Sequence, residues 1–320
     1  METTETIHLT IEDTVQNQRI DKVLSSVSAI GSRTQAQYLI SRGAVLLKGK
    51  PIKASHITSL GETFEILIPI VSSEAPLSGY DIPLEILFED EDVLVVNKPA
   101  PLVVHPSHGH TDKTLVNALV FHAKNLSMGF AEKRPGIVHR LDKETSGLLV
   151  IAKNNFSQEF LAHQFKERSI KRKYLALVYG HFKSPQGRIE TLLNRHPVQR
   201  KRFASHPTNG KVAITHFKVL GESIRGFSLV ECQLETGRTH QIRVHLSEGG
   251  HPIVADSLYG SDGRAKSLKS GVLRKRIMEM DRICLHAKEL GFVHPKTRET
   301  LFFEVDPPSD ILDLKKELGL

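Results

Sequence analysis

The residues His139 to Gly147 read His-Arg-Leu-Asp-Lys-Glu-Thr-Ser-Gly and carry one aspartate, Asp142, beside Arg140. The apolar residues Ile137-Val138 lead in, and the apolar run Leu148–Ala152 leads out. A carboxylate on a short polar loop held by strands on both sides is fixed at one point, which suits nucleophilic or acid–base chemistry. The competing reading is a surface ion pair between Asp142 and Arg140.

A second set with chemical potential is His105-x-x-His108-x-His110, whose spacing resembles that of metal ligands. Zinc sites want further ligands, and neither Cys232 nor Cys284 is near in sequence, so no metal is expected. Two cysteines without metal-type spacing also point to a reducing compartment rather than a disulfide framework. The balance of 43 Lys and Arg against 36 Asp and Glu gives a net charge of +7, which favours an anionic partner, nucleic acid first. No apolar run approaches the roughly 20 residues that span a bilayer. The terminus Met1-Glu2-Thr3-Thr4-Glu5 is acidic, unlike a signal peptide, so a cytoplasmic protein without membrane contact is expected.

Residues 16–70 read as a small separate unit. Ile20, Val23, Leu24 and Val27 share one face of a short helix, and a second helix runs from about Ser32, which can cap it, to Arg42, with Gly43 just past its end. Val45-Leu46-Leu47, the turn Lys48-Gly49-Lys50 and Pro51-Ile52 predict a hairpin, and Phe64–Ile68 a closing strand. Residues 71–82 lack periodicity and hold Ser, Pro and Gly, as a linker does.

Over 83–310 short strands recur at Leu84–Phe88, Val93–Asn97, Leu148–Ala152, Tyr174–Tyr179, Val212–Val219, Ser228–Glu235 and Leu301–Val305. Helical patterns fall at Thr114–Ala123 and Asn155–Arg168, the latter with Phe156, Phe160 and Phe165 near one face. Several strands are separated only by turns. The fold class is therefore α+β, a mixed, mainly antiparallel sheet with flanking helices, plus the small α/β unit.

The N-terminal unit resembles the small RNA-binding domain named after ribosomal protein S-four. The likeness rests on Arg19-Ile20-Asp21, Ser32-Arg33, Ile40–Val45 and Lys48–Lys53. It implies a basic face for structured RNA, with Arg33, Arg42 and Lys48 on it. The larger part resembles the RluA/RluD-type pseudouridine synthases, the D-type ribosomal RNA enzymes most closely. Its pieces are Asp92–Pro99, Leu102–Pro106, the His139–Gly147 loop and Arg172-Lys173-Tyr174, then Glu235–His245, Asp256–Gly260 and Leu285-His286-Ala287.

That resemblance implies an enzyme isomerising uridine in RNA without a cofactor. The glycosidic bond at nitrogen one breaks, and the uracil turns and rejoins through carbon five. It implies Asp142 as the catalytic carboxylate, whose attack on the sugar, attack on the base or proton abstraction all remain open. It also implies Arg238 as the cation that keeps Asp142 ionised, the rival reading being an RNA phosphate ligand, which differs in how deeply Arg238 is buried, and Tyr174 as the ring that stacks on the uracil and serves in proton transfer. A free tyrosine titrates near 10, so a base role would need a shifted environment. Arg140 would fill the gap left by a flipped uridine, and Leu285 would line the uracil pocket. His139 is grouped with the substrate-binding residues. Lys171, Arg172, Lys173, Arg195, Arg200, Lys201, Arg202 and Arg243 would form an RNA footprint. The expected partner is large-subunit ribosomal RNA or an assembling ribosomal particle, and the expected state a monomer. The rivals are the same chemistry on transfer RNA and a non-catalytic RNA-binding factor, against which the joint presence of Asp142, Tyr174 and Arg238 speaks. An aspartate-nucleophile hydrolase would need a phosphate loop or metal cluster that the sequence does not offer.

Overall fold

The structure, a computed structural model, describes residues 4–27, 30, 33–69, 78–106, 112–122 and 136–320. Backbone proximity divides the chain into two compact units, Met1–Leu77 and Ser78–Leu320.

The first unit comprises strand β1 (Thr4–Thr10), helices α1 (Ile20–Leu24) and α2 (Arg33–Ser41), and strands β2 (Val45–Leu47), β3 (Lys50–Pro51) and β4 (Thr63–Pro69). The sheet order is β1-β4-β2-β3. Ile20, Leu24, Leu39, Val45, Phe64 and Ile66 pack between helices and sheet, so the apolar stripes of both helices face the buried side of the strands. The unit begins earlier than residue 16. β1 pairs along all of β4, from Thr4 opposite Pro69 to Thr10 opposite Thr63. Its composition, Thr-Glu-Thr-Ile-His-Leu-Thr, is too polar to stand out from a charged terminus, and an edge strand tolerates that polarity. Lys48 and Gly49, both with positive φ (51° and 72°), form the two-residue turn joining β2 to β3. Ser32, read as a helix cap, lies outside the described residues.

The second unit is built on one large sheet. Its strands are β5 (Glu85–Glu89), β6 (Val93–Lys98), β7 (Ser146–Ala152), β8 (Lys171–Tyr179), β9 (Gln186–Arg195), β10 (Phe203–Ser205), β11 (Lys211–Ser223), β12 (Phe227–Leu234), β13 (Leu285–Val293) and β14 (Thr300–Glu304). Its helices are α3 (Leu115–His122), α4 (Asn155–Lys166), α5 (Gln241–Glu248), α6 (Ser261–Lys266), α7 (Gly271–Met278) and α8 (Ser309–Leu318). The strand order is β10-β9-β11-β12-β8-β13-β7-β6-β5, with β14 added beside β13. Among the described residues β7 and β13 pair in parallel and the other neighbours antiparallel. The fold is thus α+β with a mixed, mainly antiparallel sheet.

Every residue of β7 is buried, which explains why Leu148–Ala152 reads as a continuous apolar run rather than an alternating one. β7 approaches β13 closely at Gly147 (φ +114°), where a Cβ would collide with the Ala287 backbone. The unit also runs past residue 310, since Ile311, Leu314 and Leu318 of α8 enter its core. At its start the Ser78 carbonyl accepts from Asn117 Nδ2 at 2.8 Å, so the end of the expected linker packs on α3. α4 buries Ser157, Leu161 and Gln164 instead of a phenylalanine stripe. Phe156 is exposed and stacks on Phe160 beneath the Arg298 guanidinium.

Candidate active site

The loop carrying Asp142 is anchored from behind. Lys98, at the end of β6, is fully buried, and its ammonium donates to the carbonyls of Pro99 (2.9 Å), Leu102 (2.9 Å) and Lys143 (3.3 Å). The Leu102 N–H donates to the same Lys143 carbonyl at 2.9 Å. Burial pushes the Lys98 ammonium down to about 7, opposed by the nearby Asp142 charge. A buried cation without its three carbonyl partners would not be tolerated, so the Asn97-Lys98-Pro99 segment and the Asp142 loop hold each other in place.

Strand register brings the apolar floor together. Tyr174 on β8 lies opposite Ala287 on β13 and Cys232 on β12. Leu285 is two residues from Ala287 and Leu234 two from Cys232, so Tyr174, Leu234 and Leu285 share one face of the sheet. They line a cavity of about 420 Å³ that also receives Asp142, Arg140 and Arg238.

Asp142 Oδ2 accepts from Arg243 Nη1 at 3.0 Å. Arg243 sits in α5 and is almost fully buried, and its Nε and Nη2 donate to the two oxygens of buried Asp256 at 2.7 and 2.9 Å. The guanidinium thus bridges two carboxylates, using one edge for a structural pair and one nitrogen for the reactive group. Hydrogen bonds to Asp256 and the charge of Asp142 raise its pKa against burial, so it stays cationic. The expectation that Arg238 pairs with Asp142 is corrected here. Arg238 is exposed, and its Nε donates to the Val212 carbonyl at 3.0 Å. Arg243 is likewise corrected from the RNA footprint, because a side chain sealed between two carboxylates has no phosphate to meet.

His240 flanks the other carboxylate oxygen, with Nε2 3.9 Å from Asp142 Oδ1. It precedes α5 with φ +58° and ψ +18°, a left-handed conformation that costs a non-glycine residue roughly 1–2 kcal/mol. Burial, countered by Asp142, lowers its pKa.

Tyr174 is buried, and burial raises its phenol pKa, so at neutral pH it presents a protonated hydroxyl and a ring. This favours stacking over service as a base. His139 turns inward. Its Nε2 accepts from the Val150 N–H at 3.1 Å, its ring stacks on Phe165 at 4.6 Å, and burial pushes it down to about 3, so it is a neutral brace of the loop rather than an RNA contact. Arg172 is also withdrawn from the footprint. It is buried, and its guanidinium lies over Phe165 at 5.2 Å and against Gly237, where a Cβ would come within 2.8 Å of it. Arg140 is exposed at the cavity wall, as a residue meant to meet substrate should be.

In the N-terminal unit Arg33 shares Asp21 with Arg19 and Gln37. Asp21 is buried and held far below the usual carboxylate range, chiefly by the Arg19 hydrogen bonds. Arg33 is therefore committed inward along one edge and still half exposed along the other. Arg42 lies 5.7 Å from the Tyr38 ring, and Lys48 is exposed on its turn. His108 and His110 lie outside the described residues. A different group, Asp90, Asp92 and His294, clusters within metal-ligand range. His294 Nδ1 accepts from the Lys296 and Thr297 N–H groups, which leaves its proton on Nε2, 2.9 Å from Asp90 Oδ2. The ring so placed is neutral and lies against Asp90 beside the β5–β6 turn, and an Nε2 that carries the proton offers no lone pair to a metal.

Sequence comparison agrees with the geometry. A profile described as RNA pseudouridylate synthase matches residues 92–248, which span Asp142, Tyr174 and Arg243. The chain is 40% identical over 312 residues to an uncharacterized RNA pseudouridine synthase of Bacillus subtilis, covering 98% of each chain. It is 41% identical over 321 residues to the ribosomal large subunit pseudouridine synthase D of Zymomonas mobilis, again covering 98% of each. Among solved structures it resembles human RNA pseudouridylate synthase domain containing 1, with 28% identity, a TM-score of 0.56, and 72% of this chain and 86% of that one covered.

Proposed function

We propose that this chain, which belongs to the RNA pseudouridylate synthase family and is an RNA pseudouridine synthase, isomerises uridine in large-subunit ribosomal RNA with Asp142 as its nucleophilic carboxylate. The large-subunit assignment follows the relatives of full-length similarity that carry that substrate in their names. The observation that carries the catalytic reading is the Asp142–Arg243 pair at 3.0 Å beside buried Tyr174 in one cavity.

The reaction is an isomerisation. The N1–C1′ bond breaks, a C5–C1′ bond forms, C5 loses its proton and N1 gains one. Cleaving a glycosidic bond calls for a carboxylate at the sugar, as in glycoside hydrolysis. Arg243 engages Oδ2, and among the described residues no hydrogen bond is made to Oδ1, which leaves that oxygen for the substrate. Tyr174, Leu234 and Leu285 give the uracil an apolar seat from which it can turn while remaining bound. The target must first leave its stack, and Arg140 is placed at the rim to take the vacated position. Exposed Arg195, Arg200 and Lys201 around the β9–β10 turn add phosphate contacts that position the RNA without choosing the base. The N-terminal unit supplies a further RNA grip through Arg42, Lys48 and the outer edge of Arg33.

The test is tritium release from large-subunit ribosomal RNA labelled at carbon five of uridine. Wild type releases label, and Asp142→Asn is slower by at least roughly 100-fold. Equal release by the two proteins rejects Asp142. Full rescue of a deletion strain by Asp142→Ala would move the cellular role to RNA binding.

A further inference from the structure

We propose that His240 and Asp142 Oδ1 together clasp the 2′-hydroxyl of the target uridine, with Tyr259 as the residue that aims His240. The inference rests on the catalytic reading above and adds the source of discrimination between ribose and deoxyribose.

Tyr259 is buried, and its hydroxyl accepts from the Phe203 N–H at 2.8 Å. Its one proton has two acceptors, His240 Nδ1 at 2.9 Å and the Phe203 carbonyl at 3.3 Å. We place the proton on the shorter line, to Nδ1, so that Nδ1 accepts and Nε2 carries the ring hydrogen. The tyrosine ring is itself fixed, with the Arg202 guanidinium 5.1 Å and the Arg243 guanidinium 4.9 Å from its centroid. The His240 ring meets it edge-on at 90°. His240 holds its left-handed backbone where the chain turns into α5, and from there the imidazole reaches the Asp142 loop.

This arrangement points an N–H at the side of Asp142 that Arg243 does not use. The gap of 3.9 Å from Nε2 to Oδ1 is too long for a direct hydrogen bond. One oxygen about 2.8 Å from each closes it. That atom must accept from the imidazole and donate to the carboxylate, which a hydroxyl does and a uracil carbonyl or ring N–H does not. In an RNA chain the 3′ and 5′ oxygens are esterified, so the 2′-hydroxyl is the remaining sugar hydroxyl. It sits one carbon from C1′, where the bond to uracil breaks. The apolar floor at Tyr174, Leu234 and Leu285 takes the base, which leaves the Asp142–His240 edge to the sugar. Such a contact is how a protein tells RNA from DNA at one nucleotide.

The experiment uses the full-length protein and a synthetic RNA stem-loop carrying the mapped target uridine, made with ribose or 2′-deoxyribose at that nucleotide alone. Pseudouridine formation is followed in single turnover, and the affinity of each RNA by competition. Wild type is expected to favour ribose by roughly tenfold or more. His240→Leu is expected to bring the ratio within about twofold by slowing the ribose substrate, and Tyr259→Phe to give an intermediate ratio. His240→Gln, which keeps an N–H donor, should restore part of the preference. A purely structural role would slow both substrates equally and leave the ratio intact, which overturns the proposal. Absence of preference in wild type does so as well. Should His240→Leu fail to fold by circular dichroism, an unchanged ratio in Tyr259→Phe serves as the refuting result. Failure of the underlying catalytic reading is separately visible, as wild type then forms no pseudouridine on the ribose RNA.

Discussion

Replacing Arg243 by lysine separates the two arginines that compete for the role of Asp142's partner. The guanidinium makes three contacts at once, two to Asp256 and one to Asp142. A lysine ammonium is a point charge on a flexible stem and cannot span both carboxylates. Asp256 is the deeper of the two, 1% exposed against 16% for Asp142, so the lysine will settle on Asp256 and release Asp142. Losing one hydrogen bond between charged groups costs about 1.5–3 kcal/mol. If that contact is made to this extent more strongly in the transition state than in the ground state, the chemical step slows by roughly 10- to 150-fold. The assay is single-turnover tritium release with enzyme saturating, which removes RNA binding from the rate. Circular dichroism at the assay temperature checks that the variant is folded, since the altered Asp256 pairing will also lower the melting point. Arg238→Lys is the comparison. Its guanidinium is exposed and donates to the Val212 carbonyl, and lysine keeps the charge, so the change should spare the saturated rate and leave the salt dependence of RNA binding nearly unchanged. A slow chemical step in Arg238→Lys beside a normal one in Arg243→Lys would refute the assignment.

Two further outcomes test the scaffold. Gly147→Ala forces a Cβ into the Ala287 backbone at a left-handed position, and a loss of about 3 kcal/mol or more in urea unfolding is expected; an unchanged midpoint would mean that β7 and β13 do not pair so closely. Burial lowers His245 and His286 to about 4 each, against about 6.5 in the unfolded chain. Both are neutral when folded, so their contribution is complete above pH 6.5 and is lost as pH falls toward 4, by roughly 3 kcal/mol each. Urea midpoints should therefore drop between pH 7 and pH 4.5, and a flat profile would contradict their burial as neutral rings.

Much of the scaffold is legible in sequence because its signals are local. β6 and β7 are apolar runs bounded by turn residues, and α4 starts at Asn154, whose side chain accepts from the Ser157 N–H at 2.8 Å. The elements that escape reading are those whose burial depends on distant partners. β9 alternates polar residues with a half-buried face, and its strand identity comes from pairing with β11. β13 opens with Leu-His-Ala-Lys-Glu, which has no strand periodicity of its own and is made a strand by β7 and β8 on either side. The charge of Arg243 in α5 misleads in the same way: it reads as a basic contact until Asp256 and Asp142 are seen to close around it.

Arg238 and Arg243 show where sequence reasoning about a site runs out. Both lie in Thr236–Arg243, and a motif records their presence without saying which way each faces. The deciding feature is His240, whose left-handed backbone ends the loop and starts α5. Residues before it follow β12 out toward solvent, which carries Arg238 to the rim. Residues after it follow the helix, which carries Arg243 inward between Asp142 and Asp256. The two residues facing Asp142 therefore come one from the turn and one from the helix, one beside each carboxylate oxygen: Arg243 at 3.0 Å from Oδ2 and His240 at 3.9 Å from Oδ1. A partner on one oxygen, with His240 held back from the other, orients Asp142 and leaves it open on the side where the proposed reaction brings the sugar.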